Sequence, residues 1–549
     1  MYLPLAVSVV AAVSLAHADP IRDSPPNHGL ARFAGAPAIT APLPAKDVVE
    51  HPGLAPQSSI HVDLANSDVT DLPGPLGVDP QVSSQEFGLL VGTCLNFTFD
   101  AGGNLLAFCG VSTDRGIGFD VTALDPVTLE KRATYRLLDL TFEQAMALPI
   151  YLGYMATDRD GRVISIGPDN VVRWVGLTAD GTLEVARTLD LSVTVPIARG
   201  QIASVIPDHD GTLWFLVLGE VDASGTVQRP AMIGAVDGVN GVQVVRELDQ
   251  EVVENGLAIG PDGVSVLSDR ALRGVRFEAG AIVETFSFPY ARATVKKPGT
   301  ISWGSGSTPT LVGDHLVAFT DNADDQIHLL VVDRRAEPPG GRRVVCDVPM
   351  FAAGASANEN SVISSNGAII VQNWSGAPTA LLGGSQRGLV PGLVRYDVRD
   401  DETGCDLVWS SDALTTTATL KLSTATGLLY GGMLDRENRD VDAYYLGAVD
   451  FATGREVFRV LLGVGDASNI GLSPTYVGPD GAIYQPVRSG VYRVADGMSS
   501  GGCGASGNGG GGGLVILALL AMRRRPRETR PPARVLHVRA RNARAHDDR

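Results

Sequence analysis

Histidine is scarce in this sequence, and the short motifs in which histidine or cysteine binds zinc do not occur. Of its 9 histidines, only His209, His315 and His328 lie between residues 86 and 497, and no HxH, HxxxH, HExxH or CxxC spacing is present. A metal centre built on these side chains is therefore not expected. The same range has no GxSxG elbow and no P-loop, so it predicts neither an α/β-hydrolase nor a P-loop nucleotide enzyme.

Charge is also low, at 19% of residues, whereas glycine is abundant at 64 residues and 44% of the chain is apolar. Many glycines and β-branched residues with little charge favour turn-rich β structure over helix. The net charge is −17, although residues 523–549 hold ten Arg against only three acids. The remaining chain is therefore strongly acidic and lacks the basic face that phosphate contacts need, so no nucleic-acid partner is expected.

The first 18 residues predict a secretion signal. An apolar run from Leu5 to Leu15 precedes Ala16-His17-Ala18, which has the A-x-A pattern of a cleavage site. The segment before the run has no Lys or Arg, and a buried N-terminal segment is the alternative. Residues 19–85 are rich in Pro, Ala and Asp, show little periodicity, and are expected to form an irregular leader.

Four of the five cysteines are candidates for disulfides, which an exported protein tolerates. Cys94 and Cys109 flank a predicted hairpin whose turn begins at Asp100, so paired strands would bring the two thiols together. Cys346 and Cys405 both lie in apolar, strand-like segments. Four buried free thiols are the alternative.

Residues 86–497 carry a recurring unit in which a turn signal precedes a short apolar strand. Eight such signals occur about 50–60 residues apart, and they begin at Asp100, Asp158, Asp208, Gly260, Leu311, Ser364, Thr424 and Gly478. A fixed period of this length indicates a repeat architecture. We therefore predict an all-β fold, a single β-propeller of eight blades, with seven as the alternative. An array of β-sandwiches is the rival architecture, but no linker divides the range.

A second hairpin follows several of these turns, as in LGAVDFATGREVFRVL from Leu446. This segment resembles the AxDxxTGxxxW repeat of pyrroloquinoline-quinone-type propellers. The resemblance implies four-stranded blades packed in a ring. Quinone enzymes of that type hold their cofactor with a Trp and an Asp beside Ca²⁺, and we cannot place that set among the five scattered tryptophans. No cofactor is therefore identified from the repeat.

The C-terminal end changes composition abruptly after Asp496. Residues 498–513 form a Gly-rich linker containing Cys503, residues 514–522 are an apolar segment, and residues 523–549 are an Arg-rich tail. Nine apolar residues are too few to span a bilayer comfortably. The order of Gly501-Gly502-Cys503-Gly504, apolar segment and Arg523–Arg525 resembles myxobacterial C-terminal sorting signals. It implies transient anchoring in the inner membrane, processing near Cys503 by the sorting machinery, and display on the outer envelope of a Gram-negative bacterium. A weak C-terminal membrane anchor is the alternative.

A polar segment from Trp303 to Asn373 contains the candidate site. Its STPT, TDNAD and ENS elements, with Asn373 and Lys421-Leu422-Ser423, resemble a group of uncharacterised secreted propellers, and the resemblance implies a shared polar site. The candidate ligand or cation residues are Asp321, Asn322, Asp324, Glu359, Asn360, Asn373 and Lys421. Carboxylate and amide oxygens after a strand are compatible with Ca²⁺, but the spacing is not that of an EF-hand. Turn caps and hydrogen bonds between blades are the alternative role.

Two functions remain open from the sequence. The first is a surface-displayed propeller that acts as a binding or scaffold module for an unknown ligand, without catalysis. The second is a propeller enzyme, either a quinoprotein-like oxidoreductase or a Ca²⁺-dependent, lactonase-like hydrolase. The missing catalytic motifs and scarce histidine favour the first. The second gains support if the candidate residues meet at the central channel, where propeller ligands usually bind.

Overall fold

The computed structural model describes residues 21, 29–88, 94–100, 102–141, 154–378, 384–435 and 441–497. Within them, eight sheets, each built on four antiparallel strands, form the blades of one β-propeller, and we number the blades in chain order from residue 94. The all-β prediction and the prediction of eight blades are confirmed. The signal sequence 1–18, the linker 498–513 with Cys503, the apolar segment 514–522 and the tail 523–549 lie outside the described residues.

The first four blades each run from an inner strand at the channel to an outer strand at the rim. Their strands are β4 (Cys94–Phe99), β5 (Leu105–Ser112), β6 (Gly116–Leu124) and β7 (Lys131–Thr141) in blade 1; β8 (Ala156–Thr157), β9 (Val163–Ile166), β10 (Val171–Leu177) and β11 (Leu183–Asp190) in blade 2; β12 (Ile202–Pro207), β13 (Leu213–Val217), β16 (Met232–Val236) and β17 (Gln243–Glu247) in blade 3; and β18 (Val253–Gly260), β19 (Gly263–Ser268), β20 (Ala271–Glu278) and β21 (Ala281–Pro289) in blade 4. A small hairpin, β14 (Glu220–Val221) and β15 (Val227–Arg229), interrupts blade 3.

Blades 5 to 8 follow the same pattern. Their strands are β22 (Thr310–Val312), β23 (Leu316–Thr320), β24 (His328–Asp333) and β25 (Val344–Pro349) in blade 5; β26 (Ile363–Ser365), β27 (Ala368–Gln372), β28 (Leu393–Val398) and β29 (Cys405–Ser411) in blade 6; β30 (Lys421–Ser423), β31 (Leu428–Leu434), β32 (Ala443–Asp450) and β33 (Glu456–Val464) in blade 7; and β34 (Tyr476–Val477), β35 (Ile483–Val487) and β36 (Gly490–Ala495) in blade 8. In the described part of the chain, single-turn 3-10 helices lie in the connections at Ile197–Arg199, Pro339–Gly341 and Asp466–Ser468.

Three further strands come from the N-terminal segment that the sequence predicts to be irregular. They are β1 (Phe33–Gly35), β2 (Val69–Thr70) and β3 (Gln81–Glu86). Strand β3 pairs along β36 as the fourth, outer strand of blade 8, so a strand that precedes blade 1 in the chain completes the last blade. Blade 7 gains two strands, since β1 lies outside β33 and β2 pairs in parallel with the inner strand β30.

Each of the eight turn signals in the sequence is the turn between the first and second strands of one blade. The Asp turns show why. The Oδ1 atoms of Asp100, Asp158 and Asp208 each accept hydrogen bonds from backbone N–H groups two and four residues further on, which closes the hairpin. The outer hairpins of blades 1, 5, 6 and 7 are likewise the strand–turn–strand units found in the sequence.

Both predicted disulfides are present. Cys94 and Cys109 are cross-strand partners on β4 and β5, with Cα atoms 3.9 Å apart. Cys346 on β25 and Cys405 on β29 are 5.7 Å apart between Cα atoms, and they join the outer strands of blades 5 and 6. The first bridge thus staples one hairpin, whereas the second links two blades at the rim.

Between the blades, the core is made of apolar side chains that alternate along the strands and meet those of the next sheet. One cluster joins blades 2, 3 and 4 around Trp174, Trp214 and Phe215, and others join successive blades around the ring. Among the described residues, no helix has the length and apolar character needed to cross a membrane.

Candidate functional site

A strap, residues 29–53, follows one face of the propeller around the mouth of the central channel. Hydrogen bonds connect it to the first turns of four blades, and the pairs are Ala41 with Thr426, Asp47 with Asn366, His51 with Asp208 and Gly53 with Arg159. These turns belong to blades 7, 6, 3 and 2. The strap therefore tracks the channel mouth before the chain turns inward at Leu54.

Residues 57–70, the channel segment, fill the central channel. Their backbone carbonyls accept hydrogen bonds of 2.7–3.0 Å from the inner strands of blades 4 to 7, and the pairs are Leu64 with Ile259, Ala65 with Leu311, Ser67 with Ser364 and Asp68 with Leu422. Blades 1 and 2 donate to the carbonyls of Gln57 and Ser58. A cavity of about 10 Å³ remains beside Lys421, which is roughly room for one water molecule.

Asn and Asp residues give the channel segment its path. Asn66 and Asp68 both adopt positive φ, at 57°, which these residue types tolerate better than most. The Asn66 Nδ2 group donates to the carbonyls of Leu257 at 2.8 Å and Pro309 at 2.9 Å, on blades 4 and 5. From the strap, Lys46 forms an ion pair of 3.3 Å with Asp63 of the channel segment.

A buried polar cluster anchors the channel segment to blades 6 and 7. The Asp68 carboxylate pairs with Lys421 Nζ and accepts a hydrogen bond from Ser361 Oγ, and His61 Nδ1 lies 3.2 Å from both of its oxygens. Lys421 Nζ also donates to the Ile60 carbonyl at 2.8 Å. Burial alone would raise the pKa of Asp68, but Lys421 and His61 together hold it below its usual value. The Asp68 carboxylate is thus ionised, and Lys421 and the hydrogen bonds around it offset the cost of burying its charge.

This cluster contains Ser, His and Asp but does not have the arrangement of a nucleophilic triad. A triad needs the serine and the carboxylate on opposite ring nitrogens, whereas Ser361 Oγ and Asp68 both lie at His61 Nδ1, with the Ser361 contact at 3.0 Å. His61 Nε2 is buried without a hydrogen-bond partner. The cluster therefore serves to hold the channel segment rather than to activate a nucleophile.

At the other end of the inner strands, two glutamates accept hydrogen bonds from the connection between blades 4 and 5. Glu254 accepts hydrogen bonds of 2.8 Å from the N–H groups of Trp303 and Gly304. Glu359 accepts from the N–H groups of Ile301 and Ser302 and from Ser302 Oγ at 2.8 Å. These hydrogen bonds favour the ionised form of each glutamate. Burial outweighs them and raises the pKa of each to about 7.

Three predicted site residues lie near this loop, around Lys297. Asp321 accepts from the His328 N–H at 2.7 Å, Asn322 Nδ2 donates to the Ser302 carbonyl at 3.2 Å, and Asp324 caps Thr294. Burial lowers the pKa of Lys297 and raises that of Asp321, while hydrogen bonds from Thr294 lower the pKa of Asp324. Each side chain is thus already bonded to a neighbouring segment.

The other predicted site residues do not join them. Asn360 donates to Gln372 and to the Thr417 carbonyl, and Asn373 bonds to the backbone around Ala355. Lys421 pairs with Asp68 in the channel and not with Glu359, whose partners are two backbone N–H groups and the Ser302 hydroxyl. No group of three or more His, Cys, Asp or Glu side chains in the part of the chain that the structure describes could hold a metal ion.

An open groove of about 610 Å³ lies at the rim between blades 6 and 7. Its charged lining residues are Asp412, Asp435, Arg455, Glu456 and Arg459. Arg459 lies 3.7 Å from Glu456 and 4.0 Å from Asp435, and its guanidinium covers the ring of Tyr445. The groove has the size of a small-ligand site, but its lining is polar rather than apolar.

Three residues of these sites escape sequence reasoning: His61, Asp68 and Glu254. His61 and Asp68 lie in the segment without periodicity. Glu254 could have been found from a repeated pair of residues. Glu254-Asn255 lies at the start of the inner strand of blade 4, and Glu359-Asn360 lies shortly before the inner strand of blade 6. The repeat of Glu-Asn at equivalent places was the available signal.

Comparison with known proteins gives no family for this chain. No family model matches it. An uncharacterised protein of Archaeoglobus fulgidus is 25% identical over 278 residues, which cover 45% of this chain and 52% of that protein. The chain thus spans about half the length of this curated relative. Without a matching family model, the pyrroloquinoline-quinone-type repeat stays a prediction.

Among solved structures, the similar chains are themselves covered almost completely. Sqt1 of Saccharomyces cerevisiae has a TM-score of 0.44 at 10% identity and covers 75% of this chain and 97% of its own. The WD40 domain of SCAP from fission yeast has 0.39 at 8%, covering 76% and 98%, and a streptogramin B lyase has 0.33 at 9%, covering 76% and 97%. At these identities and TM-scores the likenesses carry nothing about ligand or activity.

Proposed function

We propose that this chain is an exported binding module, a β-propeller displayed on the outer envelope of a Gram-negative bacterium that holds its ligand on its outer surface. The filled channel is the observation that carries this proposal. Propeller ligands usually bind where the inner strands converge, and here residues 57–70 take that place: their backbone carbonyls accept hydrogen bonds from backbone N–H groups of five blades and from the Thr98 hydroxyl of a sixth. A ligand of the resting protein must therefore bind outside the channel.

The two disulfides support export. Disulfides persist in oxidising compartments and are rare where thiols are kept reduced. This agrees with the predicted secretion signal at residues 1–18 and with the predicted sorting segments around Cys503 and residues 514–525. Display at the surface follows from the resemblance of those segments to sorting signals.

The test of display uses the full chain with an epitope tag inserted at the exposed turn around Gly241, expressed in a myxobacterium. We expect the tag to be accessible to antibody on intact cells and to be lost after protease treatment of the cell surface. Replacing Arg523, Arg524 and Arg525 by Ala should abolish surface labelling while leaving the amount of chain unchanged. A tag that stays inaccessible until the cells are lysed contradicts the proposal.

The groove between blades 6 and 7 is the place where we propose that the module binds. Its volume suits a small ligand or one unit of a larger one. Purified full chain is tested for binding to an array of bacterial surface polysaccharides and peptides, beside the variants Arg455→Glu and, as a distant control, Arg276→Glu. Binding that Arg455→Glu reduces and Arg276→Glu does not supports the groove, and equal loss or no loss contradicts it.

A second candidate function, a propeller enzyme, has one observation in its favour. Carboxylates with raised pKa values are common in active sites, and the half-buried Glu254 and Glu359 are such a pair. Calorimetric titration of the full chain with Ca²⁺ and with pyrroloquinoline quinone separates the two functions. Saturable heat that Glu359→Gln abolishes supports the enzyme, and its absence leaves the binding module.

A further inference from the structure

We infer that the central channel is a peptide-binding site, and that residues 57–70 are its built-in, tethered ligand. The inference goes beyond the proposed function and does not rest on it, because it concerns the channel rather than export or the rim groove. The ligand class is a polypeptide segment that carries Asn, any residue and Asp in succession.

The first support is the way in which the blades contact the segment. Blades 4 to 7 each donate one inner-strand N–H to the segment, and the accepting carbonyls are, in order, those of Leu64, Ala65, Ser67 and Asp68. Such main-chain bonds are how sheets capture extended peptides at their edges, and they give affinity without demanding a sequence. The parallel pairing of β2 with β30 extends the same mode, since it adds a strand to the inner edge of blade 7.

The second support is that sequence selectivity rests on two side chains. Asn66 Nδ2 bridges carbonyls of blades 4 and 5, and the Asp68 carboxylate meets Lys421. All three side chains are buried, with Lys421 and Asp68 at 1% and 0% exposure. A buried lysine without a carboxylate is costly, so the channel demands an acidic residue at this position.

The third support is the attachment of the segment. The strap before it has isolated exposed apolar side chains such as Ile39, at 92% exposure, and contributes only the short strand β1. Tethering of this kind gives an effective concentration on the order of millimolar, which excludes a free peptide of the same sequence. The channel of the wild-type chain should therefore not bind such a peptide. The channel of a variant whose tethered segment is weakened should bind it.

The test uses the full chain and a fluorescent synthetic peptide of residues 54–72. In the chain variant Asp68→Asn, Lys421 has lost its carboxylate and the tethered segment is weakened. We expect this variant to bind the wild-type peptide at least about tenfold more tightly than the wild-type chain does, and about tenfold more tightly than it binds a peptide carrying the same Asp68→Asn change. In the chain variant Lys421→Met, the two peptides should bind within about twofold of each other.

A milder variant keeps the test decisive if Asp68→Asn does not fold. Asn66→Gly preserves the positive φ while removing both hydrogen bonds of the amide, and it leaves Lys421 paired. We expect this variant to admit the wild-type peptide, and a peptide carrying Asn66→Gly to bind more weakly. A cooperatively melting variant that binds no peptide, or that binds wild-type and substituted peptides equally, overturns the inference.

Discussion

Lys421 Nζ and the Asp68 carboxylate form an ion pair in which neither side chain reaches solvent, although the two residues are 353 positions apart in the chain. The pair joins the channel segment to the inner strand of blade 7. Its hydrogen bonds are completed by Ser361 and by the Ile60 carbonyl. Because both charges are removed from water, each one is costly to bury unless the other is beside it.

Replacing Lys421 by Met should strongly destabilise the protein, because it leaves Asp68 buried without its counter-charge. Breaking one side of a buried pair costs about 3–5 kcal/mol. Guanidinium unfolding of the full chain measures the loss. The control is Arg399→Met at the exposed pair with Asp406, which should leave the free energy of unfolding almost unchanged because water screens that pair. Equal effects of the two substitutions would contradict the role given to Lys421.

Glu254 and Glu359 predict a pH dependence. Burial raises the pKa of each to about 7 from an ordinary value of 4.5, so the folded state binds their protons more tightly than the unfolded state does. Their contribution to stability is therefore complete below about pH 4.5 and is lost as pH rises through about 7. We expect the Tm of Glu254→Gln and of Glu359→Gln to fall less than that of the wild type between about pH 5 and about pH 8.

The informative quantity in that experiment is the slope with pH, because Gln cannot accept a hydrogen bond at both atoms and lowers Tm at every pH. Glu278→Gln is the matched control, since Glu278 is half-exposed beside Arg276. Its slope should equal that of the wild type. A slope unchanged in both buried-site variants would contradict the raised pKa values.

The disulfide between blades should matter more than the one within a hairpin. Cys346 and Cys405 are 59 residues apart and Cys94 and Cys109 are 15 apart. Chain-entropy arguments give a loss of about 3 kcal/mol for the shorter loop and about 4 kcal/mol for the longer. Double Ser variants of each pair, compared by denaturant unfolding, should differ in this order. The reverse order would show that strand pairing on either side, rather than loop length, decides the contribution.

Closure of the ring should be sensitive to Gly490 on β36. A Cβ at this position would lie 1.9 Å from the Gln85 carbonyl oxygen of β3, so Gly490→Ala must push the closing strand away. We expect a loss of about 1–3 kcal/mol and faster hydrogen exchange in residues 81–86. Gly404→Ala is the control, because its Cβ would meet only the end of the Arg399 side chain. Unchanged exchange in β3 would contradict the prediction.

The propeller itself could be predicted from the sequence because its signals are local. A turn such as Asp208-His209-Asp210-Gly211 fixes one hairpin through bonds within four residues, and eight of them set the number of blades. The disulfide of Cys94 and Cys109 follows from the same hairpin geometry. Repetition of a local motif thus determined most of the architecture.

The filled channel could not be predicted, because its partners are distant. Asn66 bonds to Leu257 and Pro309, 191 and 243 positions away, and no periodicity marks the segment. For the same reason the sequence groups Lys421 with Glu359 in one candidate site, although the carboxylate that pairs with Lys421 is Asp68 of the leader. Of the predicted site residues, Asp321, Asn322, Asp324 and Glu359 lie around one loop and the other three do not.

Strand β3, which closes the ring, is synthesised early but pairs with its partner only at the end of folding. During synthesis it leaves the ribosome long before its partner β36, and the channel segment likewise precedes every blade that contacts it. Strand β3 must wait unpaired while about 400 residues follow, and the channel segment meets its partner on blade 7 only 353 residues later, so the final folding step joins contacts of very high sequence separation. The protein should accordingly fold slowly and, once β3 has paired with β36, should also unfold slowly.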